Sequence, residues 1–380
     1  MAVASLTATS LRSATRDFAA EEITPIAEEQ DRLEQTPLDV YASFWSRGLA
    51  SVITDLERRS YLEDLCVIAD ELAYACAGIA TMLVLPTFFN RIAVSYLAEP
   101  ARTEVRDRIL SQPVMTAFAA SEARAGSDFN RLETEARRVD GGYIINGSKA
   151  YNANLRTAEY VIVVARTTTP GPRSSGRLTW FLVPATAPGL TIGARWHTFG
   201  MRSMDLSPVE LQDVFVPDGF RLGAEGAGAS LLGEVLGQSR TGIGAIAVGI
   251  ARRARDEVMA YGASRYLYGD KLYKLQDYRF RIAQMEVDIS AARALVLRSA
   301  TAYDRGLPHG NAASIAKLFA GQMVMRVTAE ASGMLGSAGY TGQTVVEKLL
   351  RDARHAGIVE GTEPTHKETI FANLLRRGGS

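Results

Sequence analysis

Apolar residues change their period twice along the chain. Up to residue 112 they recur at helical spacing. Across residues 62–85, Leu65, Ile68, Leu72 and Ala75 form one stripe, with Glu63, Asp64, Asp70 and Glu71 between them. Residues 16–23 read as helix as well. From 113 to 222 the pattern is that of strands. Residues 135–139 and 143–146 flank Asp140-Gly141-Gly142, and Asp-Gly tolerates the positive φ of a tight hairpin. Residues 160–164 and 178–183 predict two further strands, separated by a Gly/Pro/Ser loop over 170–177. Residues 209–216 alternate and close the zone. From 223 to 380 helical spacing returns, over 231–261, 278–305 and 311–335. Thr365 and Glu368 have the spacing of a capping box and predict a last helix that starts at Thr365.

The order helices, strands, helices predicts an α+β chain that is mostly α, in three units over 1–112, 113–222 and 223–380. It is not the βαβ alternation of a doubly wound nucleotide-binding sheet. No Gly-x-Gly-x-x-Gly joins a strand to a helix, and no P-loop is present.

Composition narrows the chemistry. Lys+Arg and Asp+Glu are 42 each, which argues against broad nucleic-acid or polybasic membrane binding. Four His and two Cys leave little for a metal centre and nothing for a disulfide framework. Cys66 and Cys76 fall in one predicted helix and read as buried apolar thiols. The most apolar stretch, 79–89, is interrupted by Pro86 and Thr87 and is shorter than the roughly 20 residues of a membrane span. Residues 1–16 faintly resemble a transit peptide, but a helical pattern starts at once, so a soluble cytoplasmic protein is expected. Its chemistry is expected from carboxylates or an organic cofactor.

Four segments carry candidate chemistry. Residues 118–128 are dense in small and hydroxylated side chains. Such a loop suits a polar planar or anionic ligand, or is a solvated turn. In 146–154, Asn146-Gly147 predicts a turn, and Tyr151 beyond it either borders a ring or packs at a strand end. Arg265, within Ser264-Arg265-Tyr266-Leu267-Tyr268-Gly269, either grips a phosphate or ends a helix before a Gly cap. Glu360, between Ile358-Val359 and Gly361-Thr362, is either an exposed loop acid or a base in an apolar pocket. Burial would raise its pKa toward neutrality, which suits proton abstraction.

In this order and spacing the four segments resemble the acyl-CoA dehydrogenase family of flavoproteins. The resemblance runs from Arg16 to Arg377 and includes Phe199-Gly200-Met201-Arg202-Ser203 and Arg240-Thr241-Gly242-Ile243-Gly244. It implies an N-terminal helical domain, a central β-barrel domain and a C-terminal four-helix bundle, with FAD between the last two and partly at a subunit interface. It implies a homo-oligomer, dimer or tetramer, an acyl thioester on CoA or an acyl carrier protein as substrate, and an electron-transferring flavoprotein as the default acceptor.

Carried over by position, Phe118, Ala120, Ser121 and Ser127 line the flavin ring and the start of the pyrophosphate. Tyr151 and Ala153 flank the ring. Arg265, Tyr268 and Gln276 reach the adenine half of the partner's FAD. Gly333 and Gly336 belong to a loop near the AMP portion, and Thr362 and His366 touch the dinucleotide. Ser127, Arg240, Val359 and Gly361 border the substrate, and Glu360 is the base. No metal is implied.

This chain also departs from the family's pattern. Ala153 stands for a Thr that bonds flavin N5, Tyr151 for a Trp, and Gly333 and His366 each for a Gln. Gly237 stands for an Asp near the CoA arm, which is compatible with a carrier-protein thioester and a biosynthetic role in polyketide or nonribosomal-peptide pathways. Alternatives are oxidation of a hydroxyacyl-carrier thioester, flavin monooxygenase or oxidase chemistry on the same fold, and a scaffold that has lost FAD.

Overall fold

In the computed structural model, residues 8–168 and 177–378 are described. The predicted loop over 170–177 and the first residues of the chain therefore lie almost wholly outside them. The N-terminal helices are α1 (Ala8–Phe18), α2 (Ala27–Leu33), α3 (Leu38–Ser46), α4 (Leu49–Thr54), α5 (Tyr61–Ala75), α6 (Ala77–Tyr96) and α7 (Ala101–Ser111). A π-helical turn, Ala19–Ile23, extends α1.

The strands are β1 (Thr116–Ala119), β2 (Glu135–Val139), β3 (Gly142–Ala153), β4 (Tyr160–Thr168), β5 (Arg177–Pro184), β6 (Leu190–Ile192), β7 (Leu206–Pro217) and β8 (Arg221–Leu222). Then come α8 (Gly228–Ser264), a small hairpin of β9 (Tyr266–Leu267) and β10 (Asp270–Lys271), α9 (Gln276–Asp304), α10 (Gly310–Leu335), α11 (Val346–Ala356) and α12 (Glu363–Gly378).

The middle strands make one eight-stranded mixed sheet, ordered β6-β7-β3-β2-β4-β5-β8, with β1 added parallel to β4. Both faces of β4 are buried. Val161, Val163 and Ala165 belong to a core of the sheet's own, while Ile162 and Val164 join the helical core. A strand buried on both faces reads as a continuous apolar run, as residues 160–164 do.

Several local expectations are corrected. The helix over 62–85 is two helices, because Cys76 is extended between them (φ −159°, ψ 114°). Cys66 and Cys76 are therefore not in one helix, though both are buried and free. Pro86 lies inside α6 without ending it. That helix is long and apolar enough to cross a membrane by length and composition, but 94 % of its apolar window is buried within the protein. Asn146-Gly147 is not a turn. It sits in β3, where the register shifts between Ile145 and Gly147, and a Cβ on Gly147 would meet Thr134 Cα at 2.7 Å. The last helix starts at Glu363, two residues before Thr365.

Asp64, Asp70 and Glu71, polar positions in the helical pattern, are buried. Arg252 of α8 donates to Asp70 at 2.8 Å and Glu71 at 3.2 Å. This pairing requires α5 and α8 to lie close. A Cβ on Gly249 would meet Asp70 O at 2.4 Å and Tyr74 N at 3.0 Å, both backbone atoms. Gly249→Ala is therefore expected to force the helices apart and cost about 1–3 kcal/mol. Thermal unfolding checks this, and unchanged stability would refute the close approach.

Candidate functional site

The first two sequence segments meet along the C-terminal half of β3. Ala150 N–H donates to Ser121 O at 3.0 Å. Lys149 Nζ, fully enclosed, donates to Glu122 Oε1 at 2.9 Å and Ala120 O at 3.0 Å. Burial pushes Lys149 down to about 8, against the pull of Glu122. Burial also opposes ionisation of Glu122, but hydrogen bonds from Glu133 N–H, Thr134 and Lys149 hold its carboxyl below the usual range. This pair pins the 120–127 loop to β3. Sequence reading missed both residues, although a Lys and a Glu inside otherwise small, apolar segments were visible.

Around that joint, Ser121 is half-buried and Ser127 exposed. Phe118 stacks on Phe89 with centroids 4.9 Å apart, so its ring belongs to the helical core. A second register shift in β3, between Lys149 and Asn152, turns Tyr151 outward. Tyr151 is 57 % exposed, 6.0 Å from the Trp196 ring, and Ala153 is half-buried.

The fourth segment builds a tighter cluster. Glu360 has φ +57° and Gly361 φ +104°. A non-glycine residue in the left-handed region is strained and persists only where its surroundings fix it. Four side chains do so. Ser239 Oγ, on α8, donates to Glu360 Oε2 at 2.8 Å. Arg240 Nε donates to Glu360 O at 3.0 Å, and Arg240 Nη1 to Ser314 Oγ of α10 at 3.2 Å. Lys317 Nζ, also on α10, donates to Gly361 O at 2.6 Å. His366 Nε2, from the first turn of α12, meets the same carbonyl at 3.0 Å.

The electrostatics follow from enclosure. Burial pushes the Glu360 carboxyl above its ordinary value, opposed by Ser239, Arg240 and Lys317. Burial lowers Lys317 to about 8. His366 falls to about 3 through burial and the nearby Lys317 and Arg240, so it is neutral and Nε2–H is the donor to Gly361 O. No acceptor for the Glu360 N–H is found among the described residues. The site thus offers a strained, half-buried carboxylate and an adjacent N–H with no acceptor among the described residues. Ser239, Ser314 and Lys317 escaped the sequence reading. A lysine on the stripe Ala313, Ala316, Ala320, Val324 of α10 was the available signal.

Val359 and Thr362 flank this cluster, and the other predicted residues lie elsewhere. Val359 is half-buried, and Thr362 Oγ1 meets Thr365 Oγ1 at 3.3 Å. Arg265 follows the end of α8, about 39 Å along that helix from Ser239 at 1.5 Å per residue. Gly269 is not a helix cap. With Tyr268 (φ +52°) it makes the two-residue turn of the β9–β10 hairpin, and Tyr268 is 96 % exposed. Gln276, Gly333 and Gly336 are exposed. A Cβ on Gly237 would meet His309 Nε2 at 2.4 Å.

Family models match three consecutive stretches: acyl-CoA dehydrogenase N-terminal domain over 6–114, middle domain over 117–214 and C-terminal domain over 226–375. The chain belongs to the acyl-CoA dehydrogenase family. It is 32 % identical over 365 residues to cyclohexane-1-carbonyl-CoA dehydrogenase of Geobacter metallireducens, covering 95 % of each chain. Butyryl-CoA dehydrogenase from Megasphaera elsdenii superposes with a TM-score of 0.91 at 27 % identity, covering 99 % of each chain. The prolyl acyl carrier protein oxidase AnaB shares the fold, with a TM-score of 0.87 at 23 % identity over 97 % of this chain and 98 % of that one. The protein is an FAD-dependent oxidoreductase of this family. Its residues fit that cofactor: an exposed Tyr151–Trp196 pair lies next to Ala150, which is bonded to Ser121, and the enclosed His366 Nδ1 has no partner among the described residues.

Proposed function

We propose that this enzyme dehydrogenates an acyl thioester with Glu360 as the base that removes the α-proton. The observation that carries this reading is the left-handed Glu360, its half-buried carboxylate held by Ser239 and its own N–H open. The raised pKa makes the carboxylate a stronger base than an exposed one. As the α-proton leaves, negative charge grows on the thioester oxygen, and the free Glu360 N–H is a preorganised donor for it. FAD, when bound, supplies the acceptor for the β-hydride. Tyr151, Ala153, Ser121, Ser127, Thr362 and His366 would surround its near half, and Phe118 and Ala120 shape the strand beneath. Arg265, Tyr268, Gln276, Gly333 and Gly336 would serve the adenine half.

An extended FAD is shorter than the span from Ser239 to Arg265, so Arg265 would act on the FAD of a second subunit. This supports a homo-oligomer. Apolar residues left exposed on α12 (Phe371, Leu374, Leu375) and α9 (Phe280, Val287) supply surface for it. Arg240, Val359 and Gly361 would border the thioester. We read the enzyme as cytoplasmic, with an electron-transferring flavoprotein as the default acceptor.

For the handle, Gly237 stands where the family's pattern has an Asp, and a side chain there would have to displace the His309 ring. This supports a carrier-protein thioester in a biosynthetic pathway over an ordinary CoA ester. An acyl carrier protein thioester is expected to reduce the flavin faster than the CoA ester of the same acid under anaerobic mixing. Equal or slower reduction would count against the carrier.

A further inference from the structure

Lys317 is buried on the inner face of α10, among Ala313, Ala316 and Ala320. A lysine at such a position costs solvation unless its ammonium has a defined task. Its Nζ is bonded at 2.6 Å to the carbonyl of the residue after Glu360. The charged and titratable groups around it are Glu360 itself, Arg240 from α8, His355 from α11 and His366 from α12. Lys317 also lines a cavity of about 590 Å³ together with Arg326, Arg354 and Glu363. Of these, Glu360 is the one acid in the enclosed cluster.

We propose that Lys317 is a positioning residue for the base: it clamps the Gly361 carbonyl, holds Glu360 in the left-handed conformation, and keeps positive charge beside its carboxylate. This rests on Glu360 being the base. Two carbonyls follow the Glu360 side chain along the chain, and each is held by a different buried cation, Arg240 on the first and Lys317 on the second. The second is shared with His366 Nε2, so without Lys317 one neutral donor is left on it and the Glu360–Gly361 segment is held less firmly against its strain. The carboxylate then loses both its aim and a favourable charge.

The test is anaerobic reduction of the FAD-loaded oligomer by an acyl thioester, followed across pH. Lys317→Met is expected to slow reduction about 10- to 100-fold, as a misplaced base does. Its acid limb is expected to move to higher pH by about one unit, because the ionised Glu360 has lost its neighbouring cation. Lys317→Arg restores most of the rate and the limb. Lys317→Gln keeps a donor without the charge, so it shifts the limb with a smaller loss of rate, and it carries the test if Lys317→Met does not fold. In a Glu360→Gln background, Lys317→Met adds little. Folded, FAD-loaded Lys317 variants with wild-type rate and an unmoved limb overturn the proposal. If Glu360→Gln itself reduces at the wild-type rate, the reading of Glu360 as base falls instead, and the positioning role with it.

Discussion

Glu360→Gln is expected to lower the rate of flavin reduction by about 10²- to 10⁴-fold while leaving fold and FAD content intact. The amide keeps the shape of the carboxylate and can still pair with Ser239 Oγ, so the loss isolates basicity. The same reaction has a sign in pH. Glu360 must be ionised to accept the α-proton, and burial holds its pKa above 4.5. The wild-type rate should therefore rise with pH along a limb whose midpoint lies above that value. Stopped-flow reduction across pH measures both effects. A variant that retains more than about a tenth of the rate would show that another group takes the proton.

The second large effect is on acid stability. His355 and His366 both have a ring Nδ1 enclosed without a partner among the described residues. Burial, with Lys317 nearby, lowers His355 from 6.5 to about 4, and burial with Lys317 and Arg240 lowers His366 to about 3. Their folded pKa values are depressed, so the unfolded chain binds protons that the native protein does not. The stability they contribute is complete above pH 6.5 and is lost as pH falls toward 4 and 3. By pH 4.5 each loss amounts to roughly 2–3 kcal/mol, a sizeable share of a typical folding margin of about 5–15 kcal/mol. His366→Gln removes one titration, so its melting temperature should fall less steeply between pH 6.5 and 4.5. A slope equal to wild type would mean that His366 is not the neutral group described.

Much of the architecture was legible because it is written in period. The expected helices over 231–261, 278–305 and 311–335 lie within α8, within one residue of α9, and within α10. The hairpin at Asp140-Gly141 followed from local turn chemistry, and Gly141 has φ +72°. What failed was local signal overridden by distant partners. Asn146-Gly147 carries a turn signal, but β7 pairs with β3 on both sides of it and absorbs it as a register shift. Cys76 breaks a helix without Gly or Pro to announce it. Asp70 and Glu71 look like a solvated face because Arg252, which neutralises them, lies more than 180 residues away.

The site shows the same division. Glu360 stood out as an acid between an apolar pair and a glycine. Ser239 and Lys317, which fix it, are 121 and 43 positions away and carry no motif. Arg240, which the resemblance places beside the thioester, donates to Glu360 O and Ser314 Oγ. The left-handed backbone at Glu360 is invisible in a sequence, because nothing but Gly361 beside it signals positive φ.

Thioester dehydrogenation is tested most directly by mixing the yellow holoenzyme anaerobically with acyl thioesters and counting products. We predict loss of oxidised-flavin absorbance with one equivalent of α,β-unsaturated thioester formed per flavin, abolished by Glu360→Gln. No bleaching by any CoA or carrier-protein thioester, with the reduced flavin instead consuming oxygen and oxygenating a substrate, would contradict it and place the protein among the oxygen-activating users of this fold.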